Sequence, residues 1–394
     1  MTQNNFEYVK KPLPAKFGYY SFALIIAGLL LVGLAFVASP VRASFNSLIV
    51  FMFLMGIGLC SLFLIGIEYL TGAVWSVMFR RIGEYLVFLI FVAPIFAIPV
   101  LFNMSEVFLW ANHTAVAASK VLQLKTQFLN QSFFLIRTCA ILIIMGLFSW
   151  LIIRNSLKQD KNQDQKYTRI NIKLSAALMP FFGLSITLLG IDWIMSLEPL
   201  WFSTIFGVYV FAGSLLTAFA TITLFALKLK DYDCLPKEIG RDHFFNLGAF
   251  MFAFTNFWAY IAFSQFMLIW YANLPEETFW FLSRTTGSWI YISFGIIVIN
   301  FIVPYVGLLS QPSKSNLKRL KLIGAWMLFA HYYDLYWLIM PTFSKSGIAF
   351  SWTELGFPIL AIGVVMLVFK IAYNKINLIP IGDPKLNRAL DFHL

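Results

Sequence analysis

The chain has 394 residues, of which 60% are apolar with Tyr and Cys counted and only 12% are charged, against roughly 45–50% and 25% in soluble domains. A soluble protein could not cover that much apolar surface, Phe alone occurring 43 times, so a soluble enzyme is excluded and an all-α polytopic membrane protein is expected. The net charge of +11 would point to nucleic acid in a soluble chain; here the basic residues sit in short loops between apolar runs, so the charge reports topology and no nucleic-acid partner is expected.

Ten apolar stretches are long enough to cross roughly 30 Å of hydrocarbon as helices: 17–38, 45–70, 82–102, 132–154, 173–196, 204–228, 245–271, 285–309, 321–341 and 353–373. The first follows Lys10, Lys11 and Lys16, as a signal peptide would. Its apolar run of about 20 residues exceeds the 7–15 of a signal sequence, which predicts a retained membrane helix. Prolines at 94, 99, 180, 304 and 358 lie inside spans and predict kinks.

The N-terminal segment 1–16, the tail 374–394 and the loops after spans 2, 4, 6 and 8, counted with the span ends that adjoin them, hold 23 of the 29 Lys and Arg. The other six are Arg42, Lys120, Lys125, Arg137, Arg284 and Lys345. Positive-inside bias therefore places both termini in the cytoplasm. In the long outer loop 103–131, Ala117, Val121, Leu124 and Phe128 repeat at helical spacing with Lys120 and Lys125 opposite. That pattern predicts a helix lying on the outer membrane surface, or a docking surface for an extramembrane partner.

An ionisable group at membrane depth costs at least roughly 2.5–3.5 kcal/mol on insertion scales, so each needs a reason. The densest cluster is the ninth span's run from Ala330 to Tyr336, where His331 and Asp334 are i, i+3 neighbours on one helix face. They can pass a proton, hydrogen-bond a quinone carbonyl, or simply tie the span to its neighbours. Asp192 lies near the outer end of span 5, with Glu198 in the turn beyond; Arg137 at the outer end of span 4 would make Asp192 structural if the two touch. Glu68 and Glu84 flank Arg80 and Arg81, which reads most simply as an interfacial salt bridge. Asn256, Tyr260 and Ser264 form one polar stripe on span 7 with Gln265 beside it, and interhelical hydrogen bonding is its plain explanation.

Absences narrow the chemistry. Only His331 of the four histidines lies at depth, which excludes bis-His haem and leaves no metal centre expected. Cys60, Cys139 and Cys234 are far apart with no CxxC, so neither an iron–sulfur cluster built from this chain alone nor a disulfide framework is expected. No phosphate loop, nucleophile elbow or HExxH occurs.

Two stretches, DWIMSLEPLWFSTIFG at Asp192–Gly207 and FWAYIAFSQFMLIWYANLPEET at Phe257–Thr278, resemble the second of the two NrfD-like membrane subunits of bacterial alternative complex III, a quinol:cytochrome c (or other acceptor) oxidoreductase. The ten-span layout extends the resemblance over nearly the whole chain. It implies two four-helix bundles, within 45–196 and 204–341, flanked by peripheral helices 1 and 10. The implied partners are the homologous NrfD-like subunit, an iron–sulfur subunit, c-type haem subunits and a terminal cytochrome oxidase. Members of the family are labelled quinone-binding, although the related partner subunit suits quinol oxidation better. They often carry His where Leu200 follows Pro199, a departure that weakens a proton role for that turn. Physically, the Asn273–Thr278 stretch reads as a capped start of a short outer helix, with Trp270, Tyr271 and Trp280 in the interfacial aromatic belt.

The leading expectation is a respiratory subunit of the bacterial inner membrane without its own redox centre. It braces the assembly and conducts protons past Glu68 and Glu84 inside, His331 and Asp334 centrally, and Asp192 outside. A second is a pocket for menaquinone or another quinone, lined by His331, Asp334, Tyr333, Asn256, Tyr260, Ser264 and Gln265. A third is a stand-alone proton-coupled secondary transporter. Membrane lipids are expected neighbours in each.

Overall fold

A computed structural model gives the structure of the chain and describes residues 8–393; residues 1–7 of the expected segment 1–16 and Leu394 of the tail lie outside it. The described residues hold no strand. Ten long helices follow in order: α1 Ala15–Ala38, α2 Pro40–Thr71, α3 Arg80–Phe102, α4 Gln131–Asn162, α5 Lys166–Trp193, α6 Phe206–Asp231, α7 Arg241–Ala272, α8 Trp289–Leu308, α9 Leu317–Phe343 and α10 Gly356–Lys375. Among the described residues, all but α9 are long and apolar enough to cross a membrane. At 27 residues, α9 is about 40 Å long, and its His-Tyr-Tyr-Asp run is what lowers its apolarity. The chain is an all-α polytopic membrane protein.

The two innermost helices are α2 and α6. The first lies against α3, α5, α6 and α9, the second against α2, α5, α7 and α9. Every residue of α2 from Ala43 to Leu62 is buried, as expected of a helix apolar on all sides. Helices of 45–196 and of 204–341 thus meet broadly through α2, α5, α6 and α9. At the periphery α1 packs along α10. A Cβ on Gly28 would sit 2.7 Å from the Leu360 backbone, and one on Gly363 2.9 Å from the Ile25 nitrogen. Small residues let the two backbones approach where lipid supplies no hydrophobic drive.

The prolines act unequally. In α3 the helix tightens to 3-10 geometry over Ala93–Ala97, a stretch that contains Pro94 and ends just before Pro99. Serines of α2 bond carbonyls of this stretch: Ser47 donates to Phe96 O at 2.8 Å, and Ser44 to Pro99 O at 3.3 Å, which also accepts from the Asn103 N–H at 3.2 Å. In α8 a π-helical turn, Ile297–Ile302, precedes Pro304, and the Trp326 indole donates to Ile299 O at 2.8 Å. α5 remains helical through Pro180. Pro358 produces no kink: it lies in the first turn of α10, where its missing N–H would have had no helical partner.

Three local expectations are corrected. The outer loop 103–131 holds no continuous interfacial helix but short helices, among them His113–Ala118 and Lys120–Lys125, interrupted at an extended Ser119. Lys125 reaches Pro199 O at 2.6 Å instead of marking a free polar face, and burial lowers its ammonium below the usual lysine range. The short helix Pro275–Ser283 forms with Glu276 and Glu277 in its first turn, but Asn273 does not cap its start; it ends α7 in the left-handed conformation, φ 48°. Trp280 leaves the aromatic belt, being 3% exposed and stacked 4.4 Å from Trp201, while Trp270 and Tyr271 are exposed.

One end of the bundle, the terminal end, gathers both ends of the chain. Lys10 donates to the carbonyls of Tyr373 and Ile376, and Tyr373 donates to Lys11 O at 2.7 Å. Tyr8 donates to Cys234 O at 2.9 Å. Burial pushes the Tyr8 phenol up to about 12, so it keeps its proton, and that bond, at neutral pH.

Candidate functional site

At mid-depth α9 carries His331 and Asp334 into the space between α2, α6 and α7. Both are buried. The Tyr209 hydroxyl of α6 donates to Asp334 Oδ1 at 2.5 Å, and His331 Nδ1 lies 3.9 Å from Asp334 Oδ2. The imidazole stacks on Phe53 of α2, ring centroids 5.9 Å apart. Its other side rests on Gly213 of α6, where any Cβ would come within 2.8 Å of the ring; only glycine leaves room for it. Trp258 of α7 faces Tyr209 at 5.9 Å. Among the described residues, neither ring nitrogen of His331 has a hydrogen-bond partner, nor does the Trp258 indole nitrogen. Buried polar atoms are normally satisfied, so this imidazole, held by shape, is an exception within the bundle and has hydrogen-bonding capacity on both nitrogens.

From this centre a polar row runs along α6 towards the terminal end. Tyr209, Gly213, Thr217 and Thr221 are spaced by four, share one helix face and are all buried. Thr217 and Thr221 donate to the carbonyls one turn back, each at 2.7 Å, leaving their oxygen lone pairs free to accept. The row covers about 18 Å.

At the terminal end the expected interfacial salt bridge is a buried network of six charged side chains. Arg80 pairs with Glu68 at 3.1 Å, with Asp383 of the tail, and more distantly with Glu84 at 3.9 Å. Arg81 pairs with Glu84 and with Asp160 of α4. Ser156 donates to Glu84 Oε1 at 2.8 Å, and the Arg80 guanidinium stands over the Tyr69 ring. Four carboxylates face two guanidinium groups, a surplus of two negative charges when all are ionised.

At the far end Arg137 grips Asp192 through two bonds of 2.8 Å. Its guanidinium also donates to Phe128 O and lies against the Phe128 and Phe133 rings. The pair is structural, and Asp192 is not a free outer station. Arg284 offers a different arrangement nearer the centre. It lies 3.5 Å from Glu198 and donates to the carbonyls of Trp337 and Leu338, one turn of α9 beyond Asp334.

The stripe expected on α7 is not brought to the His331 centre. Tyr260 is 66% exposed, Asn256 donates to Phe252 O of its own helix at 2.8 Å, and Ser264 is half-buried. Gln265 is buried, with its side-chain oxygen unpartnered. The α7 residue that reaches the centre is Trp258. Tyr333 turns to α8, donating to Ile292 O at 2.9 Å across Gly295.

No protein-family model and no curated protein matches this chain.

Sequence reasoning missed Phe53, Tyr209, Gly213 and Trp258 around the centre, and Asp160 and Asp383 in the network. The α6 row was detectable as a four-residue polar period inside an apolar span. Nothing local marks Asp383, which meets Arg80 across some three hundred residues of chain.

Proposed function

We propose that this chain is a proton-conducting membrane subunit of a bacterial respiratory quinol:cytochrome c (or other acceptor) oxidoreductase of the alternative complex III kind. It sits in the inner membrane with both termini in the cytoplasm and carries no redox centre of its own. The two long aromatic strings support the family, and the placement of 23 of 29 basic residues supports the orientation. The redox centres belong to iron–sulfur and c-type haem partners, with a homologous NrfD-like subunit beside it and a terminal oxidase as acceptor.

The observation that carries the proton role is the Tyr209–Asp334–His331 group, whose buried imidazole has no hydrogen-bond partner on either nitrogen among the described residues. Intramembrane ionisable groups of this kind mark ion and proton pathways. In this reading the Glu68–Glu84 network, with its surplus negative charge, takes protons from the cytoplasm. They pass along the α6 row, through waters where side chains do not reach, to His331 and then Asp334. Glu198 beside Arg284 replaces Asp192 as the outward station.

Two measurements test the proposal. The chain should co-purify with haem- and cluster-bearing subunits; isolation as a lone active transporter would overturn the assignment to a complex. In reconstituted complex, Asp334→Asn should abolish proton translocation while assembly and subunit content are retained. Undiminished translocation would remove the proton role. A quinone carbonyl is the other ligand that an unpartnered buried imidazole suits. Menaquinone retained by wild-type protein and lost in His331→Phe would favour that second reading.

A further inference from the structure

Near the terminal end, α3 and α4 diverge on the outside of the bundle and leave a groove of about 590 Å3 between them. Its floor and walls are almost wholly apolar, with Phe88 and Phe91 from α3 and Trp150 from α4. Its rim is not. Arg154, Lys158 and Lys161 line the end nearest the helix terminus, on the α4 face that also carries Trp150. Trp150, Arg154 and Lys158 are spaced by four, and Lys161 follows one turn on, so the cations climb the last three turns of a helix that ends at Asn162.

Three features set this groove apart from ordinary lipid-facing surface. Among the described residues, none of the three cations has an acidic side chain within salt-bridge distance. The nearest acid in sequence, Asp160, turns the other way to Arg81. The Arg154 guanidinium is held over the Trp150 ring at 4.8 Å, so positive charge sits at the point where the apolar trough opens towards the surface. Finally, the cations span about 10 Å along the helix axis, a range of depth that matches a headgroup layer better than a single plane.

We propose that this groove is a binding site for an anionic glycerophospholipid of the leaflet on the side of the termini. An acyl chain lies in the trough along Phe88, Phe91 and Trp150, and the phosphodiester is held by Arg154, Lys158 and Lys161. A zwitterionic lipid would fill the trough equally well but would bring an ammonium against three uncompensated cations. Charge complementarity therefore selects the anionic class. The site is independent of the proton-conducting reading and stands on its own residues.

The test uses the full chain in mild detergent with lipids added back, read by native mass spectrometry. Phosphatidylglycerol should be retained over phosphatidylethanolamine by at least about tenfold. In Arg154→Gln/Lys158→Gln/Lys161→Gln that preference should vanish, with thermal unfolding unchanged because these groups make no internal ion pair. Arg154→Glu, a single exposed change that lowers the rim from three positive charges to one net charge, should weaken it. Equal retention of both lipids by the wild type, or an undiminished preference in both variants, would overturn the proposal. So would release of the bound lipid by millimolar inorganic phosphate, which would mark an anion site without use for the trough. A tightly held helix of another subunit that excludes lipid from the groove in the purified complex would also overturn it.

Discussion

Arg137 and Asp192 show what a buried pair does when both partners are fully used. The carboxylate takes two hydrogen bonds, and the guanidinium adds a backbone carbonyl and two aromatic faces. Removing one partner leaves the other charge desolvated and unpaired. Arg137→Gln should therefore destabilise the protein by about 3–5 kcal/mol, seen as a lower midpoint of thermal unfolding in detergent. The double change Arg137→Leu/Asp192→Leu should recover most of that loss. If the single change is silent, the pair does not tie α4 to α5. His331 differs in kind: its place is set by Phe53 and Gly213, and Gly213→Ala should displace the ring from Asp334. Sequence pointed to Asp192 and to the His331–Asp334 pair by residue type and depth. It could not say which was neutralised, because that depends on whether α4 and α5 bring the ends that carry Arg137 and Asp192 together.

Element boundaries were legible because hydrocarbon thickness sets a length that few sequences meet by accident. All ten stretches became helices, although α4 runs on to Asn162 and α5 begins at Lys166, beyond the expected limits of 154 and 173 because polar helical turns extend past the apolar run. What the pattern could not show was how a broken helix is repaired. In α3, Pro94 and Pro99 were visible, whereas the serines of α2 that bond carbonyls of that stretch lie some fifty residues away. Ser47→Ala should cost about 0.5–1.5 kcal/mol, more than a serine change on a lipid-facing position, measurable as a shift in the same unfolding midpoint. The contact of α1 with α10 rests on close approach instead. Gly363→Leu should cost about 1–3 kcal/mol by overpacking and should loosen α1 first. Faster proteolysis between α1 and α2 at Ser39 would reveal that loosening; an unchanged cleavage rate would argue that α1 is held elsewhere.

For the whole molecule, charge placement gives an orientation that can be checked directly. In a background lacking the three native cysteines, Ala117→Cys should react with a membrane-impermeant maleimide in intact cells. Asn387→Cys should react only after permeabilisation. Both positions are exposed, so the reverse pattern would turn the molecule over. The long-range organisation was the least legible part. No periodicity announces that α2 and α6 are the innermost helices, since buried and lipid-facing surfaces are equally apolar and only a polar row such as that on α6 separates them.

The junction of Arg80 with Asp383 carries a consequence for biosynthesis. Asp383 follows all ten helices in the chain, and Gly382 lies against the Gln159 carbonyl beside it. During translation, Arg80 must wait with one counter-charge fewer until the ribosome has delivered that aspartate. A nascent chain stalled before residue 383 would thus hold ten formed helices with the Arg80 guanidinium short of its last carboxylate, a state that membrane quality control could recognise.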